Sequence, residues 1–239
     1  MNKDKTILKT LLLGSFFASL SAMLGGSTFV FTRYVVDSID PFTLSFLRYG
    51  LTGLILFLLS ISVYMNKKFA KADLIPMCFL GLAMITLFPN FMALGLEHTT
   101  AARAGLLYAT MPLCTIIIAY FFNIEKITLN KSLAVLLAIL GVSFCMSERV
   151  DNNFQDTLKG DFLMMIGVLS ASCFTVFSGK YLKKYGNIPV MIFVILIGTI
   201  LNLIISMIFG HSIISLLEIN KFEAAALLML IIPGGVVMM

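Results

Sequence analysis

Charged residues are scarce in this chain. Only 12% of its 239 residues are Asp, Glu, Lys or Arg, and 59% are hydrophobic. A typical soluble domain carries about 25% charged residues, because its surface must face water. The composition therefore excludes an ordinary soluble domain.

Sequence patterns of common enzymes and metal sites are also missing. The chain has two histidines and no His-x-x-x-His, Gly-x-Ser-x-Gly or phosphate-loop sequence. Its four cysteines fall inside apolar segments, at spacings that match no metal or redox motif. Such cysteines are typical of packing positions. We therefore expect no enzyme activity, no bound metal and no cofactor.

What the chain has in abundance is long stretches with little charge. A helix of about 20 apolar residues crosses a bilayer, and backbone groups cannot stay unpaired in lipid, so each stretch is predicted to be helical. The fold class is thus all-α, a polytopic membrane helix bundle of about eight transmembrane helices. The predicted spans, numbered one to eight, are 10–32, 41–66, 74–96, 104–124, 132–147, 162–179, 185–217 and 224–239.

The lysines predict how these spans are oriented. With the N-terminus in the cytoplasm, 11 of the 17 basic residues lie in cytoplasmic segments, and every one of the 11 is a lysine. Such a bias sets membrane topology. The net charge of +5 is then explained by these loops, so the lipid bilayer is the expected partner and nucleic acid is not.

A weak internal repeat divides the chain at the polar, acidic segment 148–161. The stretch 24–29 of span one matches 169–174 of span six in its Leu, Ser and Phe at an offset of 145 residues, and Pro41 matches Pro189 at an offset of 148. Because five spans precede the segment, the two copies would be inverted in the membrane. Inverted repeats are typical of secondary transporters, which bind solute near the bilayer midplane between the repeats.

Spans one to five also contain a set of short motifs. The set consists of Leu24-Gly25-Gly26-Ser27-Thr28-Phe29, Asp40-Pro41-Phe42-Thr43-Leu44-Ser45-Phe46-Leu47-Arg48-Tyr49, Asn90-Phe91-Met92-Ala93-Leu94-Gly95-Leu96-Glu97-His98-Thr99-Thr100-Ala101-Ala102, Met111-Pro112-Leu113, Glu125-Lys126 and Leu140-Gly141-Val142. Taken together, it resembles the EamA-type transporters of the drug/metabolite transporter superfamily.

The resemblance implies ten helices in two inverted five-helix repeats around a central cavity. The first repeat would cover 10–148 with five helices. The second would cover 159–239 with about three, so we expect an incomplete version of the ten-helix plan. The central cavity would be lined by spans one, three, four, six, eight and nine.

The implied function is transport of a small organic metabolite or drug-like solute across a bacterial inner membrane. Export by alternating access is expected, with spans one to five rocking against the second repeat. The alternative is a non-transporting truncated fragment, or a half-transporter that needs the missing helices or a partner. A homodimer is also left open. An Asp/Glu proton relay and an intramembrane enzyme lack support, because no Asp or Glu falls within a predicted span.

Polar and helix-bending residues inside the spans are the candidates for solute contact. Arg48 would contact an anion or carboxylate, pair with Asp37 or Asp40, or reach back to the outer interface. Asn90, beside Pro89, would contact solute or hold a neighbouring helix. The substrate-binding candidates are Ser27, Thr28, Arg48, Asn90, Tyr108, Pro112, Ser172 and Thr175.

Each remaining candidate has a structural alternative. The hydroxyl residues are equally suited to close helix packing, and Tyr108 to an aromatic interface belt. Pro112 is expected to kink span four and widen the interior. Glu125 is expected to cap or anchor a loop rather than couple transport. Structural roles are expected for Gly26, Pro41, Glu125 and Pro189.

Overall fold

The computed structural model of the chain contains helices and no strands in the residues that it describes. These are 2–65, 68–125, 154–208 and 220–237, with isolated residues between 128 and 144. The α-helices are α1 (Asn2–Val35), α2 (Pro41–Met65), α3 (Lys71–Gly81), α4 (Phe88–His98), α5 (Ala101–Tyr108), α6 (Met111–Phe121), α7 (Phe154–Tyr185), α8 (Asn187–Ile208) and α9 (Lys221–Ile231). Two π-helical segments, Leu82–Leu87 and Ile232–Val237, continue α3 and α9; we call the second the terminal π segment.

Six helical stretches of the described residues are long and apolar enough to cross a membrane. They are Leu12–Val35, Pro41–Ile61, Lys71–His98, Ala101–Phe121, Gln155–Tyr185 and Asn187–Ile208. The prediction of a polytopic all-α bundle is confirmed, and the described residues of spans one, two, three, four, six and seven are mainly helical. Span five (132–147) lies largely outside the described residues, and span eight corresponds to α9 with the terminal π segment.

The predicted linker 148–161 is wrong in its second half. Helix α7 already begins at Phe154. Asp161, expected in a loop, lies inside this helix, is 9% exposed, pairs with Arg103 and accepts a hydrogen bond from the Thr99 hydroxyl at 3.1 Å. These contacts stabilise a helical turn that composition alone assigned to a loop.

Turn chemistry sets the helix ends on either side of the spans. The Asp40 carboxylate accepts the Thr43 backbone N–H at 2.8 Å, and Pro41 opens α2, which is the usual pairing of an acidic cap with proline at the first helical position. Gly186 has φ of 91°, a backbone conformation that favours glycine, and it separates α7 from α8. Tyr185 thus ends α7 instead of opening span seven.

Span three is interrupted where Pro89 follows the first π segment. Proline has no N–H, so the carbonyl four residues earlier, that of Ile85, loses its helical donor. The Asn202 side-chain nitrogen donates to this carbonyl at 2.9 Å, and Asn202 in turn accepts from Asn90 at 2.8 Å. The interruption in span three is therefore joined to α8 by buried amides.

The best-packed part of the bundle lies where α7 and α8 meet α2, α3 and α4. Helix α7 packs along α4 and α6, and α8 packs along α2 and α3. Glycine permits close approaches here: a Cβ on Gly198 would lie 2.3 Å from the Ile85 Cβ, and one on Gly160 would lie 2.7 Å from the Gly95 carbonyl. These helices form one tightly interlocked layer.

The two ends of the bundle carry separate sets of polar contacts. At one end Arg103 pairs with Asp161. At the other, Asp73 accepts hydrogen bonds from Lys184 and Tyr185, each at 2.6 Å. In the topology predicted from the lysines, both members of each ion pair between described residues lie on the same side of the membrane. Helix α7 is thereby tied to the first half of the chain at both ends.

Candidate functional site

Arg48 is the charged group placed deepest in the predicted spans, and it is buried. Its side chain is 7% exposed, lies 5.0 Å from the Tyr49 ring centroid, and donates from Nη2 to the Gly234 carbonyl at 3.2 Å. Its Nε has no hydrogen-bond partner among the described residues. Arg33 takes Asp37 instead. Arg48 therefore does not pair with Asp37.

A small cavity adjoins Arg48. Thr32, Leu44, Ser45, Arg48, Pro89, Met92 and Ala93 line it, and its volume is about 10 Å³. The Thr32 hydroxyl is buried and, within the part of the chain that the structure describes, has no hydrogen-bond partner. A space of this size holds about one water molecule. Two unsatisfied buried donors thus line one enclosed space.

The terminal π segment closes the other side of Arg48. A Cβ on Gly234 would lie 2.8 Å from the Thr28 methyl carbon, and one on Gly235 would lie 2.2 Å from the Thr52 hydroxyl. The Thr52 hydroxyl also donates to the Ile231 carbonyl at 3.3 Å. Only glycine allows the segment to sit this close to α1 and α2.

Three aromatic rings pack against one another between α1, α4 and α5. The Tyr108 ring lies 5.3 Å from that of Phe29 and 5.6 Å from that of Phe88, and it stacks on the latter. Phe29 follows Thr28 in α1, and Phe88 precedes Pro89, which lines the cavity beside Arg48. We call Thr28, Arg48 and Tyr108, with the groups just described, the Arg48 site. It combines one unpaired cation with aromatic and hydroxyl groups.

Three further candidates line a second cavity between α6 and α7. Pro112, Glu125 and Thr175 meet there, and the cavity has a volume of about 460 Å³. The Thr175 hydroxyl donates to the Ala171 carbonyl at 3.0 Å, so it is engaged within its own helix. Glu125 pairs with Lys131, as a loop anchor would. The cavity is thus mainly apolar and sits beside a charged loop.

Asn90 serves a helix contact in this structure. It is 3% exposed and donates from Nδ2 to Asn202, which is 0% exposed. This is the arrangement in which Asn90 holds a neighbouring helix. Solute contact by Asn90 would need its side-chain oxygen, which has no partner in the described residues.

The other candidates are dispersed. Ser27 is half-buried and donates to the Leu24 carbonyl at 2.8 Å. Ser172 is buried and donates to the carbonyls of Val168 and Met111 at 2.8 and 3.2 Å, so it supports the α6–α7 contact. Gly26 is exposed on α1, with open space where a Cβ would lie.

Prolines 41 and 189 lie in the first turns of α2 and α8, as expected of helix-opening residues.

A family comparison identifies what kind of protein contains this site. The model of the EamA-like transporter family matches residues 12–147. The chain belongs to the EamA-like transporter family. It is therefore a multi-pass membrane protein of a transporter family rather than of an enzyme family, and the resemblance seen in its motifs is confirmed.

Curated relatives carry similar names. One uncharacterized transporter of Archaeoglobus fulgidus is 23% identical over 76% of this chain and 63% of its own length. A second from the same organism is 27% identical over 89% of this chain and 72% of its own length. The uncharacterized transporter YoaV of Bacillus subtilis is 24% identical over 78% of this chain and 64% of its own length. The chain thus spans roughly two thirds of the length of these relatives.

A solved crystal structure shows the same fold. It superposes on 93% of this chain and 75% of its own chain with a TM-score of 0.66, at 17% sequence identity. At this identity the likeness concerns the fold alone.

Sequence analysis missed several residues that build the site. Asn202, Thr32 and Thr52 were not singled out, although each is a polar residue within a predicted span. The signal that selected Asn90 was therefore present for Asn202. Glycines 234 and 235 gave no such signal, because their role depends on the side chains that face them.

Proposed function

We propose that EamA-type transport is the activity of this protein: it moves a small organic solute across the membrane, outward, by alternating access. The membrane would be the bacterial cytoplasmic membrane, with the N-terminus in the cytoplasm. The observation that carries the proposal is the Arg48 site. A buried cation with an unpaired donor, next to aromatic rings, is costly in a membrane bundle and is typical of a solute pathway.

Interruptions of regular α-helical hydrogen bonding support the location of the pathway. They occur in spans three, four and eight: at the first π segment, between α5 and α6, and at the terminal π segment. Single π-helical turns within α-helices are frequent at functional sites. The first and last of these interruptions lie beside Arg48.

The packing changes the expected motion. Rocking of spans one to five against the second repeat would shear the contacts of α7 and α8 with α2, α3 and α4. Those contacts are extensive and contain buried amides. We therefore place the moving joint at α1, α9 and the terminal π segment. Fewer polar contacts hold them, chiefly those of Ser38 with Glu223 and of Arg48 with Gly234.

Solute export is tested by the composition of the growth medium. Bacterial cells that express the chain should release at least one small organic solute, measured by mass spectrometry, that control cells retain. Tyr108→Ala should lose this release, because it removes the ring between Phe29 and Phe88. Tyr34→Ala should keep it, because Tyr34 is exposed on α1. Media of identical composition, with the chain present in the membrane, would contradict the proposal.

A further inference from the structure

Arg48 has an arrangement of donors that is incomplete without a ligand. The guanidinium carries Nε–H and one Nη2–H side by side, which is the pair of donors that a carboxylate takes together. Here Nη2 is held by a single neutral carbonyl, that of Gly234, and Nε by nothing in the described residues. The two donors of one fork are thus half used.

The charge of Arg48 is also uncompensated. Its described contacts are the Gly234 carbonyl and the Tyr49 ring, and no carboxylate of the described residues forms an ion pair with it. Arg48 lies seven residues after Pro41, about 10 Å along the helix from its start. A buried charge without a counter-ion is unfavourable unless a ligand supplies the opposite charge.

We propose that Arg48 binds the carboxylate of an organic anion, which is the substrate class of this protein. One carboxylate oxygen accepts from Nε, and the other replaces the Gly234 carbonyl on Nη2. The Thr32 hydroxyl, which lines the same cavity, is placed to donate to the bound group. The rings of Phe29, Phe88 and Tyr108 offer an apolar surface to the remainder of the solute.

The present cavity is too small for the solute, so binding must move the terminal π segment. At about 10 Å³ it has room for one water molecule. A carboxylate that takes Nη2 releases the Gly234 carbonyl and with it one of the contacts that seat the segment on α2. Binding and opening are thereby linked at one atom. This inference rests on the proposed transport function for its physiological meaning.

An anionic substrate also accounts for export without a proton relay. A membrane potential of 100 mV, negative inside, favours a singly charged anion on the outer side by about fiftyfold at equilibrium. An anion released by the cell therefore moves down its electrical gradient, and a buried acidic relay is unnecessary.

The test measures binding to the purified full chain in detergent micelles, with labelled benzoate as the probe in equilibrium dialysis against empty micelles. Unlabelled benzoate and acetate should displace the label, and benzamide, which has the same shape as benzoate without its charge, should not. Because this comparison uses the unaltered protein, it does not depend on a variant that folds. Failure of benzoate to bind, or equal displacement by benzamide, would overturn the proposal.

Substitutions locate the site. Arg48→Gln should weaken benzoate binding by about 10- to 100-fold, the range for loss of a charged hydrogen-bond pair. Arg48→Lys, which keeps the charge and loses the fork, should weaken it by about tenfold. Arg33→Gln is the matched control and should bind as the unaltered chain does, since Arg33 pairs with Asp37 at the exposed end of α1. Unchanged binding in Arg48→Gln would overturn the proposal.

The binding result is separable from the export result. A chain that releases a solute from cells but does not bind benzoate keeps the proposed function and loses the anion site. A chain that binds benzoate through Arg48 but releases nothing keeps the anion site and loses export.

Discussion

The buried amide pair between α4 and α8 gives the sharpest prediction about stability. Asn202→Leu keeps the number and branching of the side-chain heavy atoms and removes two hydrogen bonds, one from Asn90 at 2.8 Å and one to the Ile85 carbonyl at 2.9 Å. The Ile85 carbonyl then loses its amide donor, and Pro89, four residues on, has no N–H with which to replace it. We expect the variant to be less stable than the unaltered chain.

The magnitude follows from the two bonds. Side-chain hydrogen bonds between membrane helices contribute about 0.6 kcal/mol on average and about 1.7 kcal/mol at most. A buried acceptor left without a donor costs about 1–3 kcal/mol. We therefore expect the free energy of unfolding to fall by about 1–3 kcal/mol, which is roughly a 5- to 150-fold change in the unfolding equilibrium.

Unfolding in mixed micelles of increasing denaturing detergent, followed by circular dichroism, measures this change. A double-mutant cycle with Asn90→Leu should give a coupling energy of about 0.6–1.7 kcal/mol. Ile204→Leu, on the exposed side of α8, is the control and should leave the midpoint unchanged. If the two asparagine substitutions add without coupling, the amides do not hold α4 to α8 and the reasoning is refuted.

Three other substitutions are expected to act through packing or charge. Gly198→Ala should lower the free energy of unfolding by about 1–3 kcal/mol, because the added Cβ would lie 2.3 Å from the Ile85 Cβ in the facing π segment. Gly179→Ala is the control: open space surrounds this position, so the same detergent titration should show no loss of stability. Tyr185→Phe should raise proteolysis near residue 70, because the hydroxyl bonds both Asp73 and a loop N–H; unchanged cleavage would refute this role. Hydrogen bonds from the Ser38 hydroxyl and a backbone N–H hold the pKa of Glu223 below its ordinary value. The contribution of Glu223 is therefore complete above the unfolded-state pKa, which is about 4.3, and is lost as the pH falls below it through the lower folded-state pKa. Glu223→Gln should flatten that acidic part of a stability–pH profile, and an unaltered slope would contradict the contact.

The helical spans were predictable because lipid imposes a single rule on the chain. Charge is expensive in the bilayer and backbone must pair internally, so gaps between charges mark helices. The ends that departed from this rule have local causes. Helix α7 starts earlier than its apolar stretch because Asp161 is buried against Arg103, and that partner lies 58 residues away in sequence.

The site was predictable only in part. Polarity within a span drew attention to Thr28 and Arg48, which both face Gly234 of the terminal π segment. It did not distinguish them from Asn90, whose amide holds another helix. That distinction depends on the carbonyl freed by Pro89 and on which helix passes beside it, and neither is contained in local composition.

Counterflow in liposomes tests the central claim, transport by this chain, most directly. Purified chain would be reconstituted into vesicles loaded with an unlabelled carboxylate solute identified in the growth medium, and the same labelled solute would be added outside. The account predicts transient accumulation of label inside, above empty vesicles, which Arg48→Gln abolishes and Arg33→Gln preserves. Label uptake equal to that of empty vesicles, with the chain folded in the bilayer, would contradict it.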